Sequence, residues 1–196
     1  MIRFLDIIFS FIGIALLSPL FLFVALVVKL NSAGPIFYRQ MRVGKNSSDF
    51  SLFKFRTMRV NADQLGLLTV GGRDVRITSV GYFLRKYKLD ELPQLWNVLI
   101  GDMSLVGPRP EVRKYVNYYS GEQLKVLSIR PGISDWASIL YKNENEILEK
   151  STNPEQDYIH KILPDKIRYN MIYIEKNTVQ EYLKIIFVTI YRIIFR

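Results

Sequence analysis

The strongest pattern in the chain is an unbroken apolar run. Residues 7–28 carry no charge and are bracketed by Asp6 and Lys29. Wound as one straight α-helix, such a run is about 33 Å long, enough to cross the hydrocarbon of a bilayer. No small-x-small cleavage site follows it, so it reads as a membrane segment rather than a removable leader. Ser18-Pro19 sits at its middle. Proline lacks an amide hydrogen and clashes with the carbonyl four residues earlier, so a break is expected there. Hydropathy leaves two outcomes: a bent spanning helix, the commoner case, or a helix-break-helix that enters one leaflet and returns.

After Gly34-Pro35 the period changes. Residues 36–40 and 50–56 read as short strands joined by a loop at 44–48. Residues 61–74 contain Gly66, Gly71 and Gly72 and read as a mobile loop. One helical pattern starts near Ser79 and ends before Lys88; another starts at Pro93 and stops at Gly101. An amphipathic helix is expected over 111–128, a polar acidic stretch over 142–157, and a helix over 161–177. From Tyr182 onward only Lys184, Arg192 and Arg196 are charged. That last run reads as an amphipathic helix in the membrane interface, with a core helix as the close alternative. The mixture is of α+β class.

Composition narrows the partners. Lys and Arg total 27 against 18 Asp and Glu, a net charge of +9. Such a surplus suits phosphorylated substrates, anionic headgroups or nucleic acid. There is no cysteine and one histidine, His160. Disulfides, thiolate chemistry and a histidine-built metal site are thereby excluded.

The candidate chemistry is concentrated in KLDELPQLWNV (88–98) and GDMSLVGPRP (101–110). Asp90 and Glu91 are adjacent carboxylates just before a short helix. Alone, such a pair is usually a cap. Beside it stand cations suited to phosphate oxygens. Lys54 and Arg56 alternate along a strand, with Phe53 and Phe55 on its other face. Arg85 precedes Asp90 by five residues, Arg109 lies between Pro108 and Pro110, and Arg130 precedes Pro131-Gly132. Carboxylates with fixed cations can move a phosphoryl group on a diphosphate, Asp90 as nucleophile and Glu91 as its partner. One or two carboxylates plus substrate oxygens suit Mg²⁺, held by Asp90 and Glu91. Trp96 fits the core face of its helix with Leu92, Leu95 and Leu99, and core packing is also expected of Trp136.

The segment LDELPQLWNVLIGDMSLVGPRP closely resembles the signature of the bacterial sugar transferases, the small monotopic phosphoglycosyl transferases. The similarity extends to Lys54-Phe55-Arg56-Thr57-Met58, Asp74-Val75-Arg76-Ile77-Thr78 and Arg130-Pro131-Gly132-Ile133. Gln40 and Arg42 match a family pattern without a clear role. The resemblance implies transfer of a sugar-1-phosphate from a UDP-sugar to polyprenyl (undecaprenyl) phosphate. It implies a covalent intermediate on Asp90, UMP as leaving group, Mg²⁺ as cofactor and a first membrane step of glycan assembly. It also chooses between the two membrane outcomes, making the Ser18-Pro19 break a re-entrant hairpin. The expected division is then hairpin 1–30, catalytic domain 31–177 and interfacial helix 178–196. The site would face the cytoplasm at the bacterial inner membrane, among membrane lipids, with no nucleic acid; a homo-oligomer is compatible with it.

Two residues depart from the family pattern. Lys88 stands where many members have a small polar residue, and Asp135 where many have glycine. Asp135, with Asn143 and Glu144, is a candidate for sugar specificity. The rival reading is a non-catalytic membrane adaptor whose basic face binds anionic lipid or nucleic acid.

Overall fold

The structure, a computed structural model, describes residues 1–66, 68–69 and 74–195. The apolar run becomes α1 (Ile2–Asn31), helical throughout with Pro19 inside it. The expected break between two helices is therefore absent, for a local reason. Pro19 cannot donate to the Ala15 carbonyl, and the Ser18 hydroxyl donates to that carbonyl instead, at 2.8 Å. The serine repairs the hydrogen bond that the proline removes.

Both ends of α1 are fastened to the rest of the chain. Arg3 donates to the carbonyls of Val98 and Leu99 at 2.6 and 3.0 Å. Asp6 is 2% exposed, and its Oδ1 accepts from the Ser104 hydroxyl, the Leu105 amide and the Tyr182 hydroxyl, each at 2.9 Å. At the far end Val24 and Val28 pack with Phe55 and Leu84. Between these ends Phe11, Leu16, Leu22 and Phe23 are exposed. Removing the Asp6 carboxylate strands three donors, so Asp6→Ala is expected to cost about 3 kcal/mol or more. Asp6→Asn, which keeps an acceptor oxygen, should cost less; thermal unfolding in detergent measures both.

The expected hairpin is present as β1 (Phe37–Val43) and β2 (Asp49–Phe55), antiparallel with Tyr38 opposite Lys54. Of the loop expected across 61–74, residues 67 and 70–73 lie outside the described residues. Arg76 holds the described part, donating to the carbonyls of Gly66 and Leu68 while paired with Asp74 at 2.6 Å. Then come α2 (Ser79–Lys86), N-capped by Thr78, and α3 (Gln94–Ile100), as the pattern predicts. Trp96 does not face the core: it is 53% exposed. Leu95 takes the inward place against Gly13 of α1.

Two parallel strands of three residues follow, β3 (Ser104–Val106) and β4 (Gly132–Ser134). A Cβ on Gly132 would lie 2.0 Å from the Gly107 amide nitrogen, so only glycine allows this approach. The single helix expected over 111–128 is instead α4 (Arg113–Val116) and a 3-10 turn at Gln123–Ser128. Ser120-Gly121 separates them, consistent with the low helix propensity of glycine. Short helices α5 (Trp136–Leu140), α6 (Glu144–Glu149) and α7 (Pro154–Asp157) lead through a π-turn into α8 (Leu163–Glu175). A core of Val112, Tyr115, Leu148, Tyr158 and Ile167 lies among them. The last helix, α9 (Val179–Ile194), fits both descriptions of the terminal run. Tyr182 and Ile185 are fully buried, whereas Phe187, Ile190, Tyr191 and Phe195 are exposed.

Candidate active site

Asp90 and Glu91 occupy a 3-10 turn, Leu89–Glu91, between α2 and α3. Lys88 enters this turn in the left-handed region at φ 58°. Holding a lysine there costs about 1 kcal/mol, a backbone strain of the kind found beside reactive groups. Neither carboxylate caps α3, whose first turn has no side-chain cap. The two acids are both buried, yet their surroundings differ.

Glu91 is fully engaged. Arg109 reaches both its oxygens, Nη2 to Oε1 at 2.5 Å and Nη1 to Oε2 at 3.3 Å, and Lys54 Nζ lies 3.1 Å from Oε1. Burial alone would push the Glu91 carboxyl up; Arg109 and Lys54 together hold it well below the usual range. Glu91 in turn raises the Arg109 guanidinium further above its ordinary value. Burial lowers Lys54, with Glu91 opposing the shift. Asp90 is different: its Oδ1 is buried and has no hydrogen-bond partner. Burial and the charge of Glu91 push the Asp90 carboxyl up, while Lys54, Arg85 and Lys88 pull the other way. One acid is held by two cations that favour its ionised form; the other keeps a free oxygen.

Both face a cleft of about 1540 Å³, also lined by Lys54, Arg85, Lys88 and Arg109. Arg85 is partly buried and donates to the Thr69 hydroxyl at 3.2 Å. Asn143 and Glu144 line the same cleft. So Asp90, Glu91, Lys54, Arg85, Arg109, Asn143 and Glu144 are brought to one place.

Three other candidates also hold parts of the fold together, and Arg56 among them lines the same cleft. Arg56 donates to the carbonyls of Ala33 and Ser32 at 2.5 and 2.7 Å, closing the end of α1. Its strand ends at Phe55, so the expected alternation with Lys54 stops one residue early. Arg130 donates through Nε to the Gly101 carbonyl at 2.8 Å, tying the two motifs together. Asp135 is 1% exposed. It caps α5 through Ser138 N and accepts the Arg109 amide at 3.0 Å, so it holds Arg109 rather than a sugar.

The sequence reading gave no role to a second buried network behind the dyad. Arg42 donates to Gln40 and to the Pro110 carbonyl and lies 3.5 Å from Glu111. Glu111 accepts the Tyr158 hydroxyl at 2.5 Å and lies 3.7 Å from Lys166, which pairs with Glu144 at 2.9 Å. The one sequence signal was Glu111 itself, an acid directly after Pro108-Arg109-Pro110. Trp136 packs at the α9 core and donates to Glu181 at 2.8 Å, as a core residue should.

The family model described as bacterial sugar transferase matches residues 1–196. A UDP-N-acetylgalactosamine-undecaprenyl-phosphate N-acetylgalactosaminephosphotransferase of Aeromonas hydrophila is 42% identical over 161 residues, 81% of this chain and 38% of its own length. A UDP-glucose:undecaprenyl-phosphate glucose-1-phosphate transferase of Klebsiella pneumoniae is 36% identical over 192 residues, 95% of this chain and 38% of its own. This chain thus spans less than two fifths of the length of these two relatives. With the match running from α1 through the acid pair to α9, the chain belongs to the bacterial sugar transferase family.

Proposed function

We propose that this chain moves a sugar-1-phosphate from a UDP-sugar to a polyprenyl phosphate, undecaprenyl phosphate in bacteria, releasing UMP. The observation that carries the reading is the unequal state of the acid pair: Glu91 is clamped by two cations, while buried Asp90 keeps an unpartnered oxygen. Buried polar atoms are nearly always paired, so an unpaired carboxylate oxygen calls for an explanation, and a catalytic role supplies one. The relatives' names, which specify undecaprenyl-phosphate acceptors and UDP-sugar donors, support the substrate classes.

In this mechanism the donor diphosphate lies against Arg109, Lys54 and Arg85. An ionised Asp90 oxygen attacks the phosphorus that bears the sugar. The bond from that phosphorus to the bridging oxygen breaks, and UMP leaves with the electron pair. The sugar phosphate stays on Asp90 as an acyl phosphate. A phosphate oxygen of the acceptor then attacks the same phosphorus and frees the carboxylate. Glu91 keeps Arg109 and Lys54 aimed at the charge that moves. Among the described residues no three acids or histidines cluster as a metal cage. The free Asp90 oxygen with diphosphate oxygens suits Mg²⁺, which would neutralise diphosphate charge; Glu91 is already engaged and fits that part less well.

The anchoring of α1 supports re-entry over spanning. Arg3 and Asp6 at one end and Val24 and Val28 at the other hold to the same domain. A helix crossing the bilayer would carry one end away from it. The exposed apolar middle of this continuous helix would then lie within one leaflet, with Ser18-Pro19 inside it. The basic surplus after Lys29 favours a cytoplasmic domain.

The test uses purified protein in nanodiscs with Mg²⁺ and a panel of UDP-sugars. Without acceptor, one sugar should give UMP and a protein mass increased by that sugar phosphate. Absence of UMP with every UDP-sugar, from folded protein, would reject the donor class. The pH profile tests the nucleophile. The acid limb of kcat/KM should sit above the ordinary aspartate value of about 3.9, because burial and Glu91 raise Asp90. Glu91→Gln removes the neighbouring negative charge and should move that limb to lower pH; an unmoved limb would mean that another group titrates.

A further inference from the structure

One stretch of the cleft wall is built unlike the cationic part. Six consecutive residues, Tyr141 to Glu146, line it where α5 passes into α6. They offer a phenol, two carboxamides and two carboxylates, with Lys142 as their one cation. Within this stretch Glu144 is fixed by a buried partner. Its Oε2 accepts from Lys166 Nζ at 2.9 Å. The lysine side chain is 7% exposed and that of Glu144 is 25%, so the acid is the member open to the cleft. A buried ammonium is costly unless paired, and Lys166 also has Glu111 3.7 Å away. The pairing holds Oε2 in place. Among the described residues, Oε1 accepts no hydrogen bond.

We infer that Glu144, with Asn143 beside it, reads the hydroxyl groups of the sugar that the donor carries. The inference rests on the transfer reaction proposed above. Charge gives the first reason. Arg109, Lys54 and Arg85 line the same cleft and serve the diphosphate, which a carboxylate would repel. Glu144 is near enough to Arg109 to add, after Glu91 and Asp135, to the rise of its guanidinium. An acid placed beside the phosphate cations, yet paired elsewhere, suits a neutral part of the same substrate. Hydrogen bonding gives the second. An ionised carboxylate only accepts, and a carboxamide both accepts and donates. Sugar hydroxyls satisfy both. The ribose of the donor carries hydroxyls as well, and the experiment tells the two apart.

Adduct formation without acceptor is measured in nanodiscs with Mg²⁺ for wild type, Glu144→Gln and Asn143→Ala. The probes are the UDP-sugar panel, deoxy analogues of the UDP-sugar that wild type prefers, and UMP as competitor. A site built to hold a hydroxyl rejects the analogue that lacks it, so one deoxy analogue should be a poor donor for wild type. Glu144→Gln should lower kcat/KM for the preferred UDP-sugar by about 10–100-fold, the scale of a hydrogen bond to a charged group. That variant should then be nearly indifferent to the missing hydroxyl, with inhibition by UMP unchanged. Asn143→Ala should lower kcat/KM by about 2–10-fold, the scale of a neutral hydrogen bond, and narrow the same preference. Should Glu144→Gln fail to fold, Asn143→Ala carries the test, because the Asn143 side chain makes no cap to α6. Weaker UMP inhibition with equal loss across all UDP-sugars would overturn the inference and assign this wall to the ribose. Unchanged sugar preference in both variants would also overturn it and leave Glu144 as the counter-ion of Lys166. If wild type forms no adduct with any UDP-sugar, the transfer reaction itself fails, before either variant is needed.

Discussion

Asp90→Asn is expected to lose UMP release and the covalent adduct together, by about 10⁴-fold or more, the scale seen when a covalent nucleophile is removed. The substitution is isosteric, so the cleft should keep its shape. Its effect on stability should run in the opposite direction. Folding raises the Asp90 carboxyl through burial and the charge of Glu91. For an acid whose folded value is raised, the ionised form destabilises the fold at pH values above that value. Asparagine mimics the protonated carboxyl, so the variant should melt at or above the wild-type temperature at neutral pH. A dead enzyme that is at least as stable is the signature of a strained nucleophile. Lost activity with a large fall in melting temperature would mark Asp90 as structural instead.

Arg109→Ala is the second large effect. It removes both hydrogen bonds to Glu91 and leaves that buried carboxylate with Lys54 alone. Breaking a fully buried pair costs about 3–5 kcal/mol, and less is expected here because Arg109 is partly open to the cleft. Loss of a fixed cation at a phosphoryl centre should lower kcat/KM by about 10²–10³-fold. Arg109→Lys separates charge from geometry. A lysine supplies the charge but not the two-pronged contact, so it should recover stability more than turnover. Full recovery of kcat/KM by lysine would reduce Arg109 to a point charge.

Local information identified what is local. The acid pair, its flanking short helix and Arg109 lie within twenty residues, and the motif that holds them is legible on its own. The same holds for the β1–β2 hairpin, whose alternation and loop are contiguous. What failed to show in the sequence depends on distant carbonyls. Arg56, Arg130 and Asp135 have the right chemistry for a substrate, and each also holds a distant backbone group, Ala33, Gly101 and the Arg109 amide, that no local pattern announces. The Glu111–Lys166 network joins residues 55 positions apart, so no spacing rule could have assembled it. The three-residue strands β3 and β4 are too short to leave a period. At Pro19 the general rule for proline met a specific neighbour, Ser18, that supplies the missing donor.

The attachment of α1 changes what kind of part it is. Its first turns contribute a buried carboxylate to the junction of β3 and α9, and its last turns contribute valines to the core beneath β2. A soluble enzyme cannot be made by trimming it away, because the cut would open the interior at two places. Nor would grafting a generic apolar helix restore function, since such a helix carries no Asp6 and no matching valines. With α1 in the membrane as proposed, the depth of the acid pair relative to the hydrocarbon is set by the packed backbone rather than by a tether. Detergents that distort this helix should therefore inactivate the protein well before they extract its last lipid.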